Sequence, residues 1–213
     1  MEIIAHRGWW LEPEEKNLEI AFKRALSNNY GIETDIRDYD EDLVISHDIA
    51  NNDAMSVDTF FELYNSLNSN TCLALNIKSD GLAAMLLEKL KHHNIHNYFT
   101  FDMSIPDTLG YLKAEIPFYT RHSEYEPEAA FPEHRNGVWI DAFTESEIDL
   151  NYMKHILSMR QHVCLVSPEL HGRPHSNIWE QLKTTLLSIP GEAKQLISLC
   201  TDLPQEAEDY FRN

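Results

Sequence analysis

Residues 31–48 read GIETDIRDYDEDLVISHD and carry two acids a single residue apart. Side chains of an extended strand alternate between its faces, so Glu33, Asp35 and Arg37 share one side while Ile32, Thr34 and Ile36 share the other. Neighbouring like charges disfavour each other's ionised form, and partial burial sharpens the conflict unless a cation lies between them. Other strand-like runs end in polar groups of the same kind. EIIAH ends in His6 with Arg7 next, LALNIK sets Ala74, Asn76 and Lys78 against Leu73, Leu75 and Ile77, and GVWID sets Trp139 and Asp141 against Val138 and Ile140. Acids gathered with histidine, lysine and arginine suit a divalent, oxygen-ligated metal that helps bind a phosphoryl group. Soft metals do not fit, because no cysteine joins the set.

A turn after Arg37 and a second extended run return His47 and Asp48 toward the same residues. Two histidines on opposite sides of a phosphorus atom can divide the proton work, one relieving the nucleophile of a proton and the other protonating the leaving oxygen. VSPELHGR then offers Glu169, His171 and Arg173, which are expected to recognise the substrate's alcohol or sugar, or, for Glu169, to lend the metal a further carboxylate. The competing structural reading of Glu33 and Asp35 is a salt bridge to Arg37 or Lys78. Asp141 can equally cap the helix that follows it. Asp202 is read as ordering a turn, and His92 and His96 as histidines favoured by a helix C-terminus.

These residues need a frame that delivers strand ends to one place. About eight β-rich runs recur: EIIAH, GIETDIR, CLALNIK, YFTFD, PFYTR, GVWID, HVCLVS and QLISLCT. Helical periodicity lies between most of them, as in NLEIAFKRALSNN, where Leu18, Ala21, Phe22, Ala25 and Leu26 fall on one face. Ser56 reads as a helix cap and Pro106 as a first-turn residue. EYEPEAAFPEHRN, with two prolines, predicts a short or irregular fifth helix. Alternating strands and helices imply a parallel sheet, and this many repeats predict an α/β fold of the (β/α)8 TIM-barrel type, with a doubly wound open sheet as the alternative. No linker or low-complexity tract divides residues 1–213, so one domain is expected.

The composition narrows the function. A formal charge of -18 repels phosphate backbones and anionic lipid surfaces, which argues against nucleic acid as a partner. Cys72, Cys164 and Cys200 sit in or beside apolar runs without zinc-type spacing and read as buried thiols. MEIIAHRG turns polar too soon for a leader, and no apolar run approaches membrane-spanning length, so no membrane span and a cytoplasmic location are the expectation.

IAHRG at 4–8, ETD at 33–35, HD at 47–48 and CTDLP at 200–204 resemble, in order and spacing, the signature of the glycerophosphodiester phosphodiesterase family. The resemblance implies a TIM barrel of the phosphatidylinositol phospholipase C-like type, a Mg²⁺ or Ca²⁺ ion, and hydrolysis of a small-molecule phosphodiester. Carried onto this sequence, it makes His6 and His47 the acid/base pair, Glu33 and Asp35 metal ligands, and Arg7 and Lys78 phosphate contacts, with Trp139, Glu169 and His171 as further substrate-binding candidates. Where the family has a third acidic ligand this chain has Asn76, whose amide oxygen can still ligate. Of the family's Pro-Glu-Asn-Thr run only Asn17 is kept, and it reads as a helix cap. The alternative reading is a catalytically weakened barrel that binds a phospho-ligand or carbohydrate without a full metal site.

Overall fold

The computed structural model describes residues 1–144 and 148–212. Its elements follow the strand-then-helix repeat of the sequence and fall into two compact units, Ala5–Phe118 and Met1–Ile4 with Tyr119–Asn213.

The Ala5–Phe118 unit opens with the end of β1 (Glu2–His6) and continues through α1 (Glu19–Ser27), β2 (Gly31–Tyr39), β3 (Asp42–Ile45), β4 (Met55–Ser56), α2 (Val57–Ser66), β5 (Leu73–Ile77), α3 (Ala83–His92), β6 (Tyr98–Phe101) and α4 (Ile105–Lys113). Strand β2 is its organiser. It lies beside β1, pairs in parallel with β5 and pairs antiparallel with β3, while β5 carries β6 and β3 carries β4. Every residue of β2 from Gly31 to Ile36 is buried, so both faces of its first half are covered. Phe22 of α1 packs on Phe60 of α2 with ring centroids 4.6 Å apart, and both rings are fully buried. Burying such a side chain is worth about 1.5–3 kcal/mol, which fixes the helices over the sheet.

Helix starts follow local chemistry. Ser56 accepts the Thr59 N–H at the head of α2, and Ser104 accepts the Asp107 N–H at the head of α4, whose first turn holds Pro106. The expected cap at Asn17 is corrected: α1 begins after Leu18 with no side-chain cap, because the Asn17 amide is engaged elsewhere. Gly8, directly after Arg7, has φ +83°, and a Cβ there would lie 2.9 Å from the Ala21 backbone. Only glycine lets the turn after β1 approach α1 this closely.

The second unit contains the opening of β1, then β7 (Tyr119–His122), β8 (Gly137–Ile140), α5 (Leu150–Ser158), β9 (His162–Val166), α6 (Ser176–Leu187), α7 (Gly191–Lys194), β10 (Ile197–Thr201) and α8 (Pro204–Arg212). Strands β7, β8, β9 and β10 pair successively in parallel, with β1 beside β10. EYEPEAAFPEHRN forms turns and bends with no helix. The buried Arg135 supports it instead, donating to the Ala129 carbonyl at 2.8 Å, while Thr120 Oγ1 donates to the Ala130 carbonyl at 3.0 Å. Among the described residues no helix is long and apolar enough to cross a membrane.

Candidate functional site

Strand period and strand register build the site from opposite directions. Along β2, Glu33 and Asp35 fall on the same side, and both are buried, at 2% and 1% exposure. Across to β5, Asp35 is level with Asn76 and Glu33 with Ala74. The Asn76 amide thereby reaches Glu33, donating from Nδ2 to Oε1 at 3.3 Å, while Asn76 Oδ1 is buried without a hydrogen-bond partner among the described residues. Lys78, just past the end of β5, brings its Nζ to 3.2 Å from Asp35 Oδ1.

The turn after β1 closes over the same acids. Arg7 has φ +56°, and its N–H donates both to the Glu33 carbonyl at 2.9 Å and to Glu33 Oε2 at 3.2 Å. Its Nε lies 3.2 Å from Asp35 Oδ2. Arg7, a non-glycine residue at positive φ, is backbone strain held at the point where charge converges, and Gly8 continues the turn without such a cost. His6 Nε2 stands 3.9 Å from Glu33 Oε2.

The electrostatics are uneven between the two acids. Burial, and then the Asp35 charge, push the Glu33 carboxyl up to about 7, against the opposing pull of His6, Lys78 and Arg7. Asp35 is the better-compensated partner, since Asn17 Nδ2 donates to its Oδ2 at 2.8 Å while Arg7 and Lys78 stand beside it. Both the cation expected between the acids and the competing ion pair with Lys78 therefore bear on this structure, the second directly observed. Among the described residues, no group of three or more His, Cys, Asp and Glu side chains is arranged to hold a metal. Glu33, Asp35 and Asn76, whose Oδ1 is unpartnered, nevertheless each have an oxygen to offer, and a hard divalent cation would offset the burial and the Asp35 charge that together raise Glu33.

The β2–β3 hairpin carries the second histidine. Ser46 N–H donates to the Asp35 carbonyl at 3.0 Å, and Arg37 Nη2 to the His47 carbonyl at 3.3 Å. His47 Nδ1 pairs with Asp48 Oδ1 at 2.8 Å, and that contact, aided by the charges of His47, Arg7 and Arg37, lowers the Asp48 carboxyl below its usual range. His47 is 44% exposed on its side chain, open enough to exchange protons with a ligand.

Trp139, Glu169 and His171 belong to the other unit and have partners of their own there. Trp139 is buried in β8. Glu169, in a single 3-10 turn after β9 (Pro168–His171), accepts from Ser167 Oγ at 2.5 Å through one oxygen, and from the Thr201 hydroxyl and the Asp202 N–H through the other. His171 Nε2 lies 2.7 Å from Asp141 Oδ1, which also accepts the Ala142 N–H at 2.8 Å. Asp141 thus holds the loop after β9 to the end of β8, and the cap of the next described helix, α5, is Asp149, which accepts the Tyr152 N–H at 2.8 Å.

Sequence reasoning named the six side chains His6, Arg7, Glu33, Asp35, Asn76 and Lys78 that contacts join here, but overlooked Asn17 and Thr34. Thr34 Oγ1 donates to Asn17 Oδ1 at 2.8 Å. A threonine on the aliphatic side of β2 gave no warning.

No protein-family model matches the sequence, and no curated protein sequence matches it either. Solved structures do. The chain is similar to a glycerophosphodiester phosphodiesterase from Agrobacterium tumefaciens str. C58, with TM-score 0.71 and 13% identity over 100% of both chains. It is similar to an Oleispira antarctica phosphodiesterase in complex with the product sn-glycerol-3-phosphate, with TM-score 0.70 and 15% identity over 100% of this chain and 97% of that one. A glycerophosphoryl diester phosphodiesterase from Parabacteroides distasonis ATCC 8503 follows at TM-score 0.65 and 12% identity, over 99% and 86%. The chain has the fold of these proteins, which is the α/β (β/α)8 class that the strand and helix alternation predicts.

Proposed function

We propose that this chain is a metal-dependent phosphodiesterase acting on a glycerophosphodiester or a related small phosphodiester. The observation that carries the reading is the buried Glu33–Asp35 pair, flanked by Arg7, Lys78 and His6 and touched by the Asn76 amide, on a fold shared with phosphodiesterases. Glu33, Asp35 and Asn76 would hold Mg²⁺ or Ca²⁺, which supplies positive charge to the phosphoryl oxygens when bound.

Arg7 and Lys78 are already held at the acids and offer a guanidinium and an ammonium to the non-bridging oxygens as charge builds on them. Hydrolysis forms one P–O bond to water, or first to a neighbouring substrate hydroxyl, and breaks another to the leaving alcohol. The nucleophile's proton passes to one histidine and the leaving oxygen takes a proton from the other, roles that fall to His6 and His47. Asp48 fixes the His47 tautomer with Nδ1–H toward the carboxylate, which leaves Nε2 as the working nitrogen.

Release of p-nitrophenol from bis(p-nitrophenyl) phosphate tests the reading. The expected result is turnover that requires Mg²⁺ or Ca²⁺, stops with chelator and falls about 100-fold or more in His6→Ala. The weakened, ligand-binding alternative draws support from one feature, the amide at Asn76 in place of a third carboxylate. Absence of turnover across a panel of phosphodiesters, together with no thermal shift from divalent ions, would favour it.

A further inference from the structure

Asn17 lies in the loop between β1 and α1, where an asparagine at the start of a helix ordinarily caps it. Here it does something else. Its φ is +61°, a left-handed conformation that asparagine adopts more readily than most residues. That turn points the side chain back to β2, where both ends of the amide are engaged. Oδ1 accepts the Thr34 hydroxyl at 2.8 Å, and Nδ2 donates to Asp35 Oδ2 at 2.8 Å.

The pairing fixes orientation as well as position. Thr34 is fully buried, and its hydroxyl donates to the amide oxygen, so the amide nitrogen must face Asp35. The Asn17 N–H also donates to the Arg7 carbonyl at 3.0 Å, while the Arg7 N–H reaches Glu33 Oε2 at 3.2 Å. One residue thus ties the loop carrying Arg7 to both acids, to Asp35 directly and to Glu33 through the Arg7 backbone.

We infer that Asn17, oriented by Thr34, is a positioning residue that presets the Asp35 carboxylate for cation binding. The inference rests on the proposed function, because it assigns Asn17 a task at that same site. A neutral amide donor on Oδ2 limits rotation of the carboxylate without itself cancelling the charge, and the Arg7 and Lys78 cations, each 3.2 Å from one of its oxygens, are what an incoming metal ion would compete with. Groups that orient metal-binding side chains in this way typically contribute 10- to 100-fold to metal affinity.

The test is Mn²⁺ binding to the full chain, measured by calorimetry at constant ionic strength, in wild type, Asn17→Gly and Thr34→Val. Glycine keeps the positive φ and the backbone bond to Arg7, so it removes the amide without imposing strain. The expected outcome is roughly 10- to 100-fold weaker Mn²⁺ binding in Asn17→Gly and a smaller loss in Thr34→Val, with circular dichroism close to wild type and a metal-free melting temperature lowered in Asn17→Gly, because the buried Thr34 hydroxyl and Asp35 Oδ2 lose the amide. Wild-type affinity in Asn17→Gly overturns the inference and leaves the proposed function standing. Should Asn17→Gly not fold, wild-type affinity in Thr34→Val overturns it instead. Failure of the wild type itself to bind Mn²⁺, Mg²⁺ or Ca²⁺ in the same measurement overturns the metal dependence in the proposed function, and this inference with it.

Discussion

At the scale of residues, Asn76 is where the proposed cation site is most open to test. Its Nδ2 leans on Glu33 while its Oδ1 is buried without a hydrogen-bond partner among the described residues, so an uncommitted oxygen is present but uncharged. Replacing the amide with a carboxylate, Asn76→Asp, adds a negative charge beside a Glu33 whose carboxyl burial and Asp35 already push up to about 7. Mg²⁺ affinity rises with ligand charge, and about tenfold tighter binding is the expected gain. The metal-free variant is expected to lose about 1–3 kcal/mol of stability, because the new acid also takes away the Nδ2 donor to Glu33. Calorimetry with Mg²⁺ and urea denaturation without it read the two effects separately, and unchanged affinity would remove Asn76 from the proposed ligand set. The acids themselves were legible in the sequence because a strand's two-residue period leaves little choice of face. Asn17 was not, since nothing in KNLEI distinguishes a helix cap from an amide that reaches forward across α1 to β2.

Elements obey the sequence where periodicity and capping agree, and depart from it where loop contacts take over. All eight β-rich runs became strands, and Ser56 and Pro106 stand at the helix starts read for them. EYEPEAAFPEHRN became a loop, since Pro127 and Pro132 remove backbone donors and Arg135 and Thr120 satisfy carbonyls that a helix would otherwise occupy. Glu124 fastens this loop to the one after β8, accepting the Thr144 N–H at 2.6 Å, the Phe143 N–H at 3.1 Å and the Thr144 hydroxyl at 2.9 Å. Desolvation raises its pKa, but the donors from Thr144 and Phe143 outweigh it and bring the carboxyl down to about 2, from 4.5. A folded-state pKa below the unfolded one stabilises above the unfolded value and ceases to do so as pH falls through the folded value. Glu124→Gln is therefore expected to be less stable than wild type at pH 6, with the difference shrinking between pH 4.5 and 2. Urea denaturation across that range measures it, and a gap that stays constant with pH would show that Glu124 acts there by shape alone.

For the molecule as a whole, a surplus of 35 acidic over 17 basic side chains sets the background against which any cation effect must be read. Self-repulsion at a charge of -18 means that added salt of any kind stabilises by screening, so a rise in melting temperature with Mg²⁺ is not by itself evidence for a site. Binding to the folded state alone adds RT ln(1 + [L]/Kd), about 2.7 kcal/mol at a hundredfold excess over Kd. For a chain of 213 residues that corresponds to a rise of roughly 5–10 °C. At constant ionic strength, wild type should show this rise with Mg²⁺, and His6→Ala should retain it, because an imidazole that moves protons is not needed to hold the cation. The double variant Glu33→Gln/Asp35→Asn keeps nearly all of the surface charge and so keeps the screening response, but it should lose the specific rise. Its metal-free form is expected to melt no lower than wild type by more than a few degrees, since removing two buried acids relieves their mutual repulsion even as Arg7 and Lys78 lose a partner. An equal Mg²⁺ shift in wild type and the double variant would assign the whole effect to screening and leave the buried acids as an ion-pair anchor for Arg7 and Lys78.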